Sequence, residues 1–99
     1  MIRSTKNHDE VKGGRLSGPA AAQKTRTQLE ALAGCVCEAV SGLARTESGW
    51  RVTIEVLELE RIPRTTDLLA SYVVEIDGRG ELVGYERIAR YCRGQALDS

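Results

Sequence analysis

The stretch that most constrains the fold is residues 49–63, GWRVTIEVLELERIP. Its apolar residues occupy every second position: Trp50, Val52, Ile54 and Val56. Polar or charged residues stand between them, and an alternation of period two is typical of a β-strand with one buried face. We therefore predict a strand over about residues 49–61, ended by Pro63, which cannot continue ladder pairing.

The alternation changes phase at Val56 and Leu57, so that Leu57 and Leu59 fall on the side that was polar. Two explanations are open. Either a β-bulge re-phases the strand, or both faces of its second half are covered.

The rest of the chain predicts an α+β fold. Upstream of the strand, apolar residues recur at spacings of three and four, which predicts an amphipathic helix over about residues 24–45. These residues are Leu29, Leu32, Ala33, Val36, Val40 and Leu43. Two further strands are expected over about residues 68–77 and 81–93. The prediction is one helix on a three-stranded antiparallel meander, forming a single domain over residues 23–99 behind a disordered tail at 1–22.

The turn at residues 77–80, Asp-Gly-Arg-Gly, is a strong hairpin signal and decides which face the last strand buries. A three-residue loop turns Leu82, Gly84 and Ile88 towards the helix, whereas a four-residue loop turns Val83, Tyr85, Ala89 and Tyr91 that way. Turn chemistry favours the shorter loop. One helix covers only one face, so the other face is predicted to bind a partner through half-apolar residues. They are Leu57, Leu59, Val73, Val83, Tyr85 and Tyr91.

Charged side chains border this predicted face: Glu58, Glu60, Arg61, Arg87 and Arg90. The simpler interpretation is cross-strand ion pairing on a solvated surface. The functional interpretation is a charged rim that sets partner specificity.

Several classes of function are disfavoured by the composition. The single histidine, His8, lies in the predicted tail, so a histidine base or histidine metal site is not expected, and no cofactor is predicted. Cys35 and Cys37, two positions apart on the predicted helix, diverge by about 200° and would not hold one metal. Together with Cys92 they form no disulfide framework. No signal peptide or long apolar run is present, which predicts a soluble cytoplasmic protein without membrane contact.

Charge and size suggest the kind of partner. Up to residue 28, six Lys/Arg face two acids, a net of +4, and the remainder has eight Arg against twelve acids, a net of −4. The acidic folded part argues against nucleic-acid binding. A domain of this size is only marginally stable alone, so a homodimer or docking on a partner is a natural source of stability.

The strand residues carry a resemblance to a known family. Trp50, the run Glu58–Pro63 (ELERIP), Thr66-Asp67, Ala70–Tyr72 and, near the end, Gly84-Tyr85 and Arg90-Tyr91 follow its recurring pattern. Over about 45 residues the chain resembles the gas vesicle protein O family.

The resemblance implies a cytoplasmic, non-enzymatic accessory protein in gas vesicle formation, which acts as an assembly factor and binds other gas vesicle proteins. The alternative is a regulatory module whose basic tail contacts nucleic acid during gas vesicle gene expression.

Overall fold

The computed structural model describes residues 16–94. They form one α-helix and a four-stranded antiparallel sheet in the order β1-β2-β3-β4. The elements are α1 (Gly18–Ala33), β1 (Val36–Arg45), β2 (Gly49–Leu59), a short 3-10 turn (Arg64–Thr66), β3 (Leu68–Asp77) and β4 (Leu82–Cys92). The predicted α+β class is confirmed, but the sheet has one strand more than predicted.

Helix α1 begins earlier than the predicted position near residue 24. Ser17 caps it, with its Oγ accepting a hydrogen bond from the Ala20 amide at 3.3 Å, and Pro19 occupies the first turn, where its missing N–H is not needed. Leu16 just before the cap is buried. The prediction of a disordered tail is therefore wrong for residues 16–22, and its remainder, residues 1–15, lies outside the described residues.

The predicted helix over residues 24–45 is in fact two elements. Gly34 adopts the left-handed conformation (φ 64°) and donates its N–H to Glu30 O at 3.0 Å, which ends α1. Strand β1 follows, with two bulges. Because of these bulges, one face of β1 carries three residues spaced three positions apart: Cys37, Val40 and Leu43. Their cross-strand partners on the same face are Val56, Ile54 and Val52 of β2. A bulged strand thus reproduces the spacing of a helix.

Strand β2 is the centre of the core. Val52, Ile54 and Val56 are fully buried, and Trp50 is nearly so, as the alternation predicted. They belong to one buried cluster with Leu29 of α1. The change of phase is a bulge, as one of the two explanations proposed, and it falls between Leu57 and Leu59.

The β3–β4 turn has the predicted three-residue loop. The Asp77 amide bonds to Glu81 O at 2.9 Å, and Gly80, with φ 94°, closes the turn. Leu82 accordingly pairs with Ile76 and faces the helix.

Farther along β4 the predicted facing fails, because two register shifts interrupt the ladder. The first lies at Val83, so that Gly84 pairs with Glu75 on the far face and Tyr85 takes the helix side opposite Val74. The second lies at Ile88 and leaves Ala89 and Tyr91 on the far face.

We call the side of the sheet that carries Val52, Ile54 and Val56, against which α1 packs, the helix face. The other side, which carries Thr53, Glu55 and their neighbours, is the open face. Among residues 16–94, the single helix lies on the helix face, and the open face is left uncovered by it.

Candidate partner-binding surface

Four of the six residues predicted to bind a partner lie on the open face. At one end of the sheet, Leu57 and Tyr91 both pair with Leu69, from its two sides. At the other end, Val73 and Val83 line a shallow depression of about 310 Å³. We call these residues, Leu57, Val73, Val83 and Tyr91, the open-face patch.

The other two predicted residues, Leu59 and Tyr85, lie on the helix face, and their assignment to the same surface is wrong. The bulge in β2 turns Leu59 towards Leu68, its register partner. The bulge in β4 turns Tyr85 towards Tyr72, with ring centroids 5.9 Å apart and planes tilted by 41°. The cause is the period of two in a strand, because one inserted residue exchanges the faces of all that follow.

A carboxylate held by three hydroxyl groups occupies the middle of the open face. Glu55 accepts hydrogen bonds of 2.5 Å from Ser41 Oγ, Ser71 Oγ and Tyr91 Oη, which belong to three different strands. Burial raises the pKa of Glu55, but the three donors lower it by more, and the net pKa lies below its ordinary value. Burial and the neighbouring carboxylate raise the pKa of Tyr91 to about 12. Glu55 therefore stays ionised and Tyr91 stays a donor at neutral pH. Nothing in the sequence indicated that these side chains meet.

Three residues of the predicted charged rim come together, but on the helix face. Arg87 Nη1 and Arg90 Nε lie 3.3 and 2.9 Å from the two oxygens of Glu58. Burial raises the pKa of Glu58, and the two arginine hydrogen bonds lower it by more, so that the net pKa is lowered. Glu60 and Arg61 lie beyond the end of β2 and are exposed. The predicted rim is therefore an ion-paired cluster plus two loop residues.

Sequence reasoning missed a second ionic cluster, centred on Asp67. This buried carboxylate accepts hydrogen bonds from the Arg61 amide at 2.8 Å and from Arg93 Nε and Nη2 at 3.1 and 2.9 Å. Arg93 also binds Glu38 of β1, with the closest pair at 2.7 Å. Asp67 thus fastens the loop after β2 and the end of β4 to the start of β3. The Thr-Thr-Asp turn was the only signal, and it predicts a turn, not these partners.

This cluster predicts an acid-sensitive contribution to stability. The hydrogen bond from the Arg61 amide lowers the pKa of Asp67 below its ordinary 3.8, and the Arg93 guanidinium lowers it further. A carboxyl group whose pKa is lowered in the folded state stabilises the protein at pH values above its unfolded-state pKa. This stabilisation is lost as the pH falls through the folded-state pKa. We expect Asp67→Asn to be less stable than the wild type at pH 7 and the difference in urea midpoint to shrink as the pH falls below 3.8. A difference that stays constant over that range would contradict this assignment.

The metal-ligating side chains and the thiols of the described residues were the other candidates for a chemical site. Among residues 16–94 no group of three or more His, Cys, Asp or Glu side chains is placed to hold a metal ion. Cys35, Cys37 and Cys92 are free thiols. Burial raises the pKa of Cys37 to about 12 and also raises that of Cys35, so both are protonated at neutral pH and poor nucleophiles. No helix in this part of the chain is long and apolar enough to cross a membrane.

Comparison with known proteins identifies the family. The family model described as "Gas vesicle synthesis protein GvpO" matches residues 4–97. Gas vesicle protein O of a Streptomyces species is 55% identical over 69 residues, covering 70% of this chain and 54% of the relative. Gas vesicle protein O1 of Halobacterium salinarum is 41% identical over 56 residues, covering 54% of this chain and 47% of the relative.

The chain thus spans about half the length of these curated relatives. No solved structure matches it. Because the family model covers almost the whole sequence, the chain belongs to the gas vesicle synthesis protein GvpO family.

Proposed function

We propose that this protein acts in gas vesicle formation as a non-enzymatic assembly factor in the cytoplasm and binds other gas vesicle proteins through the open face of its sheet. The observation that carries the proposal is the uneven covering of the sheet: α1 packs on the helix face, and the open face presents apolar side chains beside hydrogen-bonded polar ones. Family membership supplies the process, since the matching family is described as gas vesicle synthesis proteins.

The open-face patch has the character of a contact surface. Val83 is 69% exposed and borders the depression that Val73 lines, so a partner side chain can bury both. Leu57 and Tyr91 supply a second apolar area about 13 Å away, four residues along β3 at the rise of a strand. The Glu55 cluster between the two areas is fixed by three strands, so little side-chain entropy is lost on binding there.

The charged side chains nearest the patch can add specificity. Arg51 and Glu75 form an exposed ion pair of 3.0 Å on the open face. Exposed pairs contribute little to stability, but charges around an apolar contact select among partners. The Glu58 cluster lies on the helix face and is left out of this binding surface.

The test is a binding measurement with matched variants of the full chain. Val83→Asp places a charge in the patch, and Leu32→Asp makes the same change at a 60% exposed position of α1. Each gas vesicle protein made by the source cells is purified and titrated by biolayer interferometry against the wild type and against each of the two variants. For the partner that binds, we expect Val83→Asp to raise the Kd by about tenfold or more, because charging a desolvated contact costs at least 1.4 kcal/mol. Leu32→Asp should leave it unchanged.

Equal Kd values for Val83→Asp and the wild type would exclude the open-face patch. Failure of every gas vesicle protein to bind would exclude the assembly-factor proposal itself. Circular dichroism of both variants establishes that the fold is intact. The regulatory alternative depends on the basic tail, largely outside the described residues, and is tested separately by a salt-dependent gel shift with RNA and DNA.

A further inference from the structure

The depression on the open face joins apolar side chains to two carboxylates. Its volume is about 310 Å³, and its lining is Val73, Glu75, Val83, Gly84, Tyr85 and Glu86. Among residues 16–94, no lysine or arginine belongs to this lining. Val83 is largely exposed, and a Cβ atom at Gly84 would meet nothing within 4 Å. The depression is therefore open to an incoming side chain, which would meet both apolar surface and negative charge.

The register of the sheet places the two carboxylates on a diagonal across the depression. Glu75 pairs with Gly84, and Glu86, two residues farther along β4, pairs with Val73. Diagonal neighbours of this kind lie roughly 7–8 Å apart. A single cationic group between them is therefore within reach of both carboxylates.

Glu86 lacks a cation of its own. Within the described part of the chain it takes part in no ion pair, whereas Glu75 is bound by Arg51 at 3.0 Å. The two arginines that follow Glu86 in β4, Arg87 and Arg90, lie on the helix face and bind Glu58 there. Because β4 is an edge strand of the sheet, no further strand can bring a cation to Glu86 from its outer side. A partner can supply one.

The whole open face has an excess of negative charge. The charged residues that the strand register assigns to it are Arg51, Glu55, Glu75, Asp77 and Glu86, one cation against four carboxylates. Arg93, beyond the end of β4, is already bound to Asp67 and Glu38. Charge complementarity therefore favours a positively charged partner surface.

A lysine or arginine side chain matches both properties of the depression. Its aliphatic stem covers apolar surface while its charged head stays at a polar border. In the depression the stem would cover Val73 and Val83, and the head would lie between Glu75 and Glu86. A purely apolar side chain would leave Glu86 without a counter-charge, and an acidic one would be repelled.

We propose that the partner of the open face inserts a lysine or arginine side chain into this depression, with Glu86 as its main ion-pair acceptor and Glu75 as the second. This inference rests on the proposed function and names the chemistry of the partner. The partner carries a cationic residue about 13 Å from an apolar residue that meets Leu57 and Tyr91.

A peptide tests this chemistry without a gas vesicle protein. The probe is an amidated peptide of leucine and lysine at helical spacing, titrated at low salt into the full chain labelled with ¹⁵N and followed by NMR. We expect the Gly84 amide to shift, and Glu86→Gln to raise the peptide Kd by about fivefold, because one of the carboxylates that hold the cation is lost. Glu60→Gln removes the same charge at an exposed position just beyond β2 and should leave the Kd unchanged.

Equal peptide Kd values for Glu86→Gln and Glu60→Gln would overturn the inference, as would failure of the peptide to bind the wild type. The same peptide with glutamate in place of every lysine should not bind, and equal binding of the two peptides would also overturn it. Circular dichroism of both variants establishes that the fold is intact.

The second measurement uses the gas vesicle protein that binds in the interferometry experiment. Glu86→Gln should raise its Kd by about fivefold, and Glu60→Gln should not change it. A partner that binds Glu86→Gln as tightly as the wild type would overturn the inference and leave the proposed function standing. Peptide binding that depends on Glu86, without binding of any gas vesicle protein, would support the cationic site and exclude the proposed function.

Discussion

Replacing Gly49 by alanine is expected to lower the free energy of unfolding by about 3 kcal/mol, at the upper end of the cost of overpacking. Gly49 opens β2 and pairs with Asp77. A Cβ atom there would lie 2.6 Å from the Asp77 carbonyl carbon and 2.7 Å from its Cα, and closer still to Ile76 O. These are backbone atoms that no rotamer change can move, so the β2–β3 ladder itself must open beside Trp50.

Urea unfolding followed by fluorescence measures this loss, since Trp50 is the only tryptophan and adjoins the altered position. Gly84→Ala is the matched control. A Cβ atom at Gly84 meets nothing within 4 Å, and its φ is not left-handed. That change should be neutral or stabilise by about 0.5 kcal/mol, because alanine restricts the unfolded chain. Equal stabilities of the two variants would show that the close approach at Gly49 does not limit the fold.

Leu29→Ala is expected to cost about 3 kcal/mol and to loosen the helix from the sheet. Leu29 is 0% exposed and belongs to the same buried cluster as Val52 and Ile54. Removing its three outer carbons loses their burial and leaves a cavity between the two layers, for which losses of about 2–5 kcal/mol are usual. Thermal unfolding by circular dichroism should show a fall in Tm of roughly 12–24 °C for a domain of this size.

The control is Leu32→Ala, the same change one turn later in α1 at a largely exposed position. It should shift the free energy of unfolding by no more than about 0.5 kcal/mol. Both variants are measured at a dilution at which the chain is monomeric, so that association does not contribute. Equal losses for Leu29→Ala and Leu32→Ala would contradict the placement of Leu29 at the centre of the helix–sheet contact.

The proposed function follows from which faces of the sheet the helix covers. One helix can cover one face of a four-stranded sheet, and the other face and one end keep apolar side chains in contact with water. The open-face patch is proposed to meet other gas vesicle proteins.

Local chemistry is what the sequence predicted well. The conformation of the Asp-Gly-Arg-Gly turn is determined by residues within it. The Asp77 side chain accepts hydrogen bonds from the Arg79 and Glu81 amides, and Gly80 supplies the left-handed residue. Likewise, the alternation from Trp50 to Val56 identified the buried face of β2. Both depend on contacts between near neighbours or on a strict period. The family resemblance was likewise carried by short local runs, such as Glu58–Pro63 and Ala70–Tyr72.

Bulges are what the sequence did not reveal, and they account for the main errors. In β1 two extra residues place Cys37, Val40 and Leu43 on one face at a spacing of three, which is indistinguishable from a helical stripe. In β2 and β4 single extra residues moved Leu59 and Tyr85 from the predicted binding face to the helix face.

By itself, then, the sequence determined the family, the α+β class, the central strand with its buried face, and the turn between β3 and β4. Only the tertiary structure decided the fourth strand, the gathering of Ser41, Ser71 and Tyr91 around Glu55, and the side of the sheet on which each later residue lies. The physical reason is that a bulge costs little locally and is selected by pairing with a strand distant in sequence. Its position is therefore a property of the assembled sheet.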